Sequence, residues 1–297
     1  MSGSDTNSVM FETIAIVGVG LMGGSLGMAA RNRRLAHRVV GIGRTEQKLM
    51  RAKILGAIDD YSLDAPAAVS EADLVIICTP VRLVVPTLSG FAGRLKKGAI
   101  VTDVGSTKRE IVRDSEAIMP SGRYFVGGHP MAGSEQAGVE AAFPDLYLGA
   151  TYVLTAAEQT DLGALGKMVE FAEGIGARAE VMSPEEHDAA AAVISHLPHA
   201  MAAALLHTAE DSQRESGKVF RLAAGSFRDL TRISDSLPGL WRDICITNAD
   251  SLSETIRRFV ESLEQFRAAL DARDEEAIMR FFEQAHEIRQ AYLRVTK

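Results

Sequence analysis

The chain has 297 residues, a formal net charge of −7, 46% hydrophobic residues and 24% charged residues. That length suits two domains better than one small core. The acidic balance speaks against nucleic acid as the partner, because phosphate binding needs a basic face. Two cysteines, Cys78 and Cys245, make neither a disulfide scaffold nor a zinc site and fit a reducing cytoplasm.

Residues 1–10 are polar and Ser-rich and read as a disordered tail, not a signal peptide. The apolar zone Ile14 to Ala30 is broken by Gly18, Gly20, Gly23, Gly24 and Gly27, which makes it a poor membrane span. Thr13 to Gly18 reads as a buried strand, Leu21 to about Arg34 as a helix, Arg38 to Gly43 as a second strand and Glu46 to Leu55 as a helix. Leu74 to Thr79 is a strand closed by Pro80. Val84 to Leu95 reads as helical, and Ala99 to Asp103, Tyr124 to Gly127 and Tyr152 to Leu154 as strands. The alternation predicts a mostly parallel α/β sheet of Rossmann type covered on both faces. Ser183-Pro-Glu-Glu186 is a helix start, and no clear strand pattern follows it. The expected division is therefore a sheet domain over 11–182 and an all-α domain over 183–297.

Gly18-Val-Gly20-Leu21-Met22-Gly23 fits G-x-G-x-x-G between a strand and a helix. Gly18 suits the tight turn, Gly20 a close approach of backbone to pyrophosphate, and Gly23 helix-on-strand packing. The second strand lacks the acid that binds a ribose 2′-hydroxyl and reads Gly41-Ile-Gly43-Arg44-Thr45. Arg44 could pair with a 2′-phosphate, which favours NADP over NAD. Thr79 and Ser106 follow strands whose ends line the crevice of an open parallel sheet. Either is a candidate nicotinamide-side contact or a plain helix cap, and Asp103 shares that position.

Gly128-His129-Pro130-Met-Ala-Gly133 follows an apolar strand, which puts His129 beside the crevice on a rigid loop. His196 and His199 share a helical face. H-E-x-x-H is absent, and no metal is expected there. Arg232 and Trp241 lie in later helical stretches. Arg232 could be an ordinary surface ion-pair residue, Trp241 reads as packing, and Glu135 reads equally as a helix-start carboxylate or a pocket residue.

Taken in order, Gly18-x-Gly-x-x-Gly23, Asp103-x-Gly-Ser106, Gly128-His-Pro-Met-Ala-Gly133, Ser195-His-Leu-Pro-His199, and Thr231-Arg232 with Trp241-Arg-Asp243 resemble the prephenate/arogenate dehydrogenase family. The resemblance covers nearly the whole chain after the tail. It implies oxidative decarboxylation in tyrosine biosynthesis and a homodimer built through the helical domain. It also implies His129 as catalytic residue, Ser106 as its hydrogen-bonding partner and Arg232 as binder of a substrate carboxylate. His199, Ser134 and Glu135 are implied as further pocket lining, and His196 less securely. The chemistry suits these types, since a neutral histidine can take a hydroxyl proton as hydride leaves. Neither membrane nor nucleic acid is an expected partner. A hydroxyacid dehydrogenase or imine reductase of similar plan, and a noncatalytic NADP sensor, are the rival readings. Lys218 does not sit in the setting a hydroxyacid enzyme's catalytic lysine needs, and a sensor would not need His129 with Arg232.

Overall fold

The computed structural model describes residues 9–133 and 136–295. Its elements in chain order begin with β1 (Phe11–Val17), α1 (Leu21–Asn32), β2 (Ala36–Ile42), α2 (Glu46–Ile54), β3 (Asp60–Ser62) and α3 (Ala65–Val69). They continue with β4 (Leu74–Ile77), α4 (Val84–Ser89), β5 (Ile100–Asp103), α5 (Arg109–Ile118), β6 (Tyr124–Pro130), β7 (Thr151–Thr155), α6 (Leu162–Gly174) and β8 (Arg178–Met182). The remainder is helical: α7 (Pro184–Ala191), α8 (Leu197–Ser216), α9 (Gly225–Thr231), α10 (Pro238–Thr247), α11 (Ala249–Ala272) and α12 (Glu275–Val295).

Among the described residues the strands form one eight-stranded sheet in the order β3-β2-β1-β4-β5-β6-β7-β8. All neighbours pair in parallel except β6 and β7. The fold is thus the mostly parallel Rossmann-type sheet followed by helices that the sequence patterning predicts. The order reverses between β1 and β4, the point at which open sheets of this kind bind ligands. Alternation along β1 separates two cores. Ile14 and Ile16 face a cluster with Leu26, Tyr152 and Phe171, while Ala15 and Val17 face one with Val75, Leu88, Phe91 and Phe125.

Two expectations change in detail. The helix expected over 84–95 stops at Ser89, because Gly90 and Phe91 break it, and only a single turn follows at Ala92–Arg94. β3 and β8 were not expected as strands. Both are outermost in the sheet and carry polar residues, which hides the alternation and suits an exposed edge.

The chain divides into two compact units, 1–248 and 249–297. The first holds the sheet and the helices through α10. Its continuous helical stretch Pro184–Ser216 is long and apolar enough to cross a membrane by length and composition. That stretch nevertheless carries buried His187, Asp188 and His196, whose hydrogen-bond partners lie elsewhere in the same unit. The second unit is a helical hairpin in which Phe266 stacks on Phe281 at 4.7 Å and meets Phe282 edge-on at 5.6 Å.

Candidate active site

The carboxyl ends of β1, β4, β5 and β6 open on a cavity of about 370 Å³. Gly20 to Gly23, Thr79, Ser106 and His129 lie on its wall, with Leu237 and Leu240 from the start of α10 opposite in sequence. The volume is in the range of small-molecule sites.

The glycine loop takes its shape from sterics. Gly18 has φ of +94°, and a Cβ there would sit 2.8 Å from the Cys78 carbonyl oxygen. A Cβ at Gly23 would sit 2.3 Å from the Gly18 carbonyl oxygen, so helix and strand touch through hydrogen alone. At Gly20 a Cβ would meet nothing within 4 Å. The fold therefore does not need glycine at 20, but a pyrophosphate lying on the backbone would. No side chain caps the start of α1, which leaves its first N–H groups for an anion. These residues fit a dinucleotide.

Thr79 and Ser106 both line the cavity, and neither caps a helix. Thr79 Oγ1 is buried without a hydrogen-bond partner. The start of α5 is capped instead by Asp188, whose Oδ1 and Oδ2 accept from the backbone N–H groups of Lys108 (2.7 Å) and Arg109 (2.9 Å). Arg44 and Thr45 are exposed at the end of β2, and no carboxylate stands between Gly41 and Thr45.

Asp103 corrects an expectation about its side chain, which is not on the cavity wall: the carboxylate is fully buried and held within the protein. It forms an ion pair with buried Lys108 and accepts from the backbone N–H groups of Gly105 (2.8 Å) and Gly128 (3.1 Å). Lys108 also donates to the Gly128 carbonyl at 2.9 Å. This pair fixes the backbone immediately before His129. Burial lowers the Lys108 ammonium's pKa, and the Asp103 charge opposes that shift.

A second correction concerns the partner of His129. Ser106 shares its cavity wall but makes no hydrogen bond to it among the described residues. Instead His129 Nδ1 lies 2.7 Å from His187 Nε2, and His187 Nδ1 lies 2.8 Å from Asp188 Oδ1. The two rings meet edge to face at 5.0 Å. His187 and Asp188 are both about 2% exposed. Burial first, and then the electrostatic influence of His187, Lys108 and His196, holds the His129 pKa well below the usual 6.5. Its imidazole is therefore neutral at pH 7.

The substrate-side candidates are less gathered. His199 is stacked on Trp241 at 3.6 Å, and its Nδ1 donates to the Ser195 carbonyl at 2.9 Å. Buried His196 stands 6.1 Å from the same indole and accepts on Nδ1 from Asn248 Nδ2 at 3.1 Å. Burial lowers its pKa to about 4. A π-helical turn, Ala192–His196, joins α7 to α8 and resets the phase between His187 and these residues. Neither His199 nor Trp241 is on the cavity wall. Arg232 is exposed on the single turn Arg232–Asp235, just before the cavity residue Ser236. Ser134 and Glu135 lie outside the described residues.

Sequence reasoning missed His187, Asp188 and Lys108. The first two follow Ser183-Pro-Glu-Glu186, whose capping box reads only as a helix start. Nothing local says that the next turn faces the sheet. A strand-end aspartate with a lysine five residues on was the available signal for Lys108.

Fold and cavity define a dinucleotide-binding oxidoreductase with a neutral histidine at the reacting end. Residues 26–181 match the model of the prephenate dehydrogenase nucleotide-binding domain, and residues 183–284 that of the prephenate dehydrogenase dimerization domain. The prephenate dehydrogenase of Bacillus subtilis is 38% identical over 94% of this chain and 76% of its own. The cyclohexadienyl dehydrogenase of Zymomonas mobilis is 34% identical over 95% of this chain and 96% of its own. The crystal structure of A. aeolicus prephenate dehydrogenase with hydroxyphenyl propionate and NAD+ superimposes with a TM-score of 0.89 at 34% identity, covering 95% and 98% of the two chains. The chain belongs to the prephenate dehydrogenase family.

Proposed function

We propose that this protein oxidatively decarboxylates prephenate, arogenate or both, and that NADP is its preferred cofactor. The observation that carries the reading is the neutral imidazole of His129 on the wall of the cavity that the Gly20–Gly23 loop and Thr79 also line. Bound nicotinamide would supply the hydride acceptor. His129 accepts the proton of the ring hydroxyl as hydride leaves the same carbon. Carbon dioxide then departs from the opposite ring carbon, and its bonding electrons complete the aromatic ring. Arg232 meets a substrate carboxylate with its planar fork. Ser106 and Thr79 contact the reacting groups from the strand ends, and His199, Ser134 and Glu135 line the substrate side.

The preference for NADP rests on exposed Arg44 and on the missing acid at the end of β2. The NAD+ in the A. aeolicus structure supports the alternative cofactor. A homodimer through the helices after Ser183 is supported by the matched dimerization domain and by exposed apolar residues such as Phe282 and Ile288. The sheet portion to Met182 and the helical portion from Ser183 are proposed as the cofactor and substrate/dimerisation domains.

Two variants test the assignment of roles. His129→Asn should lower kcat by roughly 100-fold or more with cofactor binding intact. Arg232→Ala should raise KM for substrate by about 10-fold or more. Unchanged kcat in the first, or unchanged KM in the second, removes that residue from its role.

A further inference from the structure

His129 can serve as a base only if its cavity-facing nitrogen carries a lone pair. A neutral imidazole has one N–H and one bare nitrogen, and the hydrogen bond at one decides the state of the other. The structure sets this by a chain of three side chains.

The chain begins at Asp188. An ionised carboxylate only accepts, so His187 Nδ1, 2.8 Å from Oδ1, is the donor. A neutral His187 then has a bare Nε2. That nitrogen lies 2.7 Å from His129 Nδ1, which must donate to it. His129 Nε2 is left bare, and His129 lines the cavity. The tautomer of His129 is thereby ordered from Asp188, two side chains away.

The competing state would make His187 an imidazolium that donates at both ends, which forces the proton of His129 onto Nε2. Two features oppose it. Asp188 already accepts from the first backbone N–H groups of α5 (Lys108 and Arg109), so its charge is met by the positive end of a helix. A cation at His187 would also have to be desolvated, the residue being about 2% exposed. The backbone carbonyl of Asp188 accepts from Asn248 Nδ2 at 2.8 Å, and Thr107 Oγ1 bonds Thr247 Oγ1 at 2.9 Å. The end of α10 thus holds this part of α7 against the start of α5.

We propose that His187, oriented by Asp188, is a positioning residue that fixes His129 in the tautomer with Nδ1 protonated and Nε2 bare toward the cavity. The proposal rests on the reading of His129 as the base. On that reading the hydroxyl proton goes to His129 Nε2 without passing on to His187, and returns to the ring oxygen as CO₂ leaves, while Nδ1–H keeps its bond to His187. His187 touches neither substrate nor cofactor.

The test uses the full-length protein, its His187→Leu and His187→Gln variants, and 15N-detected imidazole spectra at pH 7.5 without ligand. Wild type should show His129 protonated at Nδ1 and bare at Nε2. His187→Leu, which removes the acceptor at similar bulk, should show mixed tautomers and lose kcat by roughly 10- to 100-fold, with KM changed less than about 3-fold. His187→Gln, whose amide oxygen can accept from Nδ1–H, should restore most of the tautomer and of kcat. A wild-type His129 protonated at Nε2, a His187 imidazolium, or a Leu variant with unchanged tautomer and kcat would each overturn the proposal. The spectra need no turnover, so their result stands even if His129→Asn keeps its activity, which would instead remove His129 as base. Thermal melts of both variants identify any that fail to fold, and the wild-type spectrum alone then decides.

Discussion

His187 Nε2 lies 2.7 Å from His129 Nδ1, and the two rings come from elements 58 residues apart in the chain. The contact joins the end of β6 to the second turn of α7. It means that the sheet supplies the histidine proposed as base, while the helix after the last strand holds its ring.

The first consequence is a pH profile. With His129 as the proposed base, reaction needs it neutral, and burial keeps its pKa well below 6.5. Activity should stay flat as pH falls through 6.5 and drop only as the lowered pKa is reached. The check is kcat/KM with pH, each sample returned to pH 7.5 to confirm reversibility. The control matters because His196 binds a proton near 4 when folded and near 6.5 when unfolded, so stability also declines as pH falls across that window. A reversible acid limb at 6.5 or above would contradict the burial argument.

The glycine loop separates fold from cofactor. Gly20→Ala should leave the thermal midpoint within about 2 °C, since its Cβ meets nothing, yet weaken dinucleotide binding by roughly 10-fold or more. Gly23→Ala should destabilise the protein, because its Cβ would press on the Gly18 carbonyl. Melts and cofactor titrations of both check this. Equal loss of stability in the two variants would show that position 20 is structural.

Lys108 is needed for stability and for the placing of His129. Lys108→Met leaves the Asp103 carboxylate buried without its cation. The cost should be about 3–5 kcal/mol, or roughly a 10 °C fall in thermal midpoint. Calorimetry decides, and an unchanged midpoint would contradict the buried pair.

Much of this was legible in the sequence because the signals were local. Glycine spacing after a strand pointed to the loop between β1 and α1, and Gly128-His129-Pro130 pointed to the histidine at the end of β6, and both line the cavity. The rest depends on long-range packing. Asp103 has the strand-end position of a ligand contact, but its neighbour in space is Lys108. His187 reads as one more polar residue just after a capped first turn, and only the docking of α7 on β6 and α5 gives it a partner. Ser106 was assigned to His129 by resemblance, and both line one wall with no hydrogen bond between them among the described residues.

On the proposed reading, Arg44 carries the cofactor preference. Arg44→Asp should raise KM for NADP by roughly 10-fold or more and leave KM for NAD unchanged or lower. Steady-state titrations with both cofactors check it, and an unaltered ratio would remove Arg44 from the 2′ position.

The most direct measurement is reduction of NADP and of NAD by the purified protein, with prephenate and then with arogenate, following the reduced nicotinamide. The account predicts turnover with at least one of the two substrates and a higher kcat/KM with NADP. No turnover in all four combinations, by folded protein that binds cofactor, would contradict it.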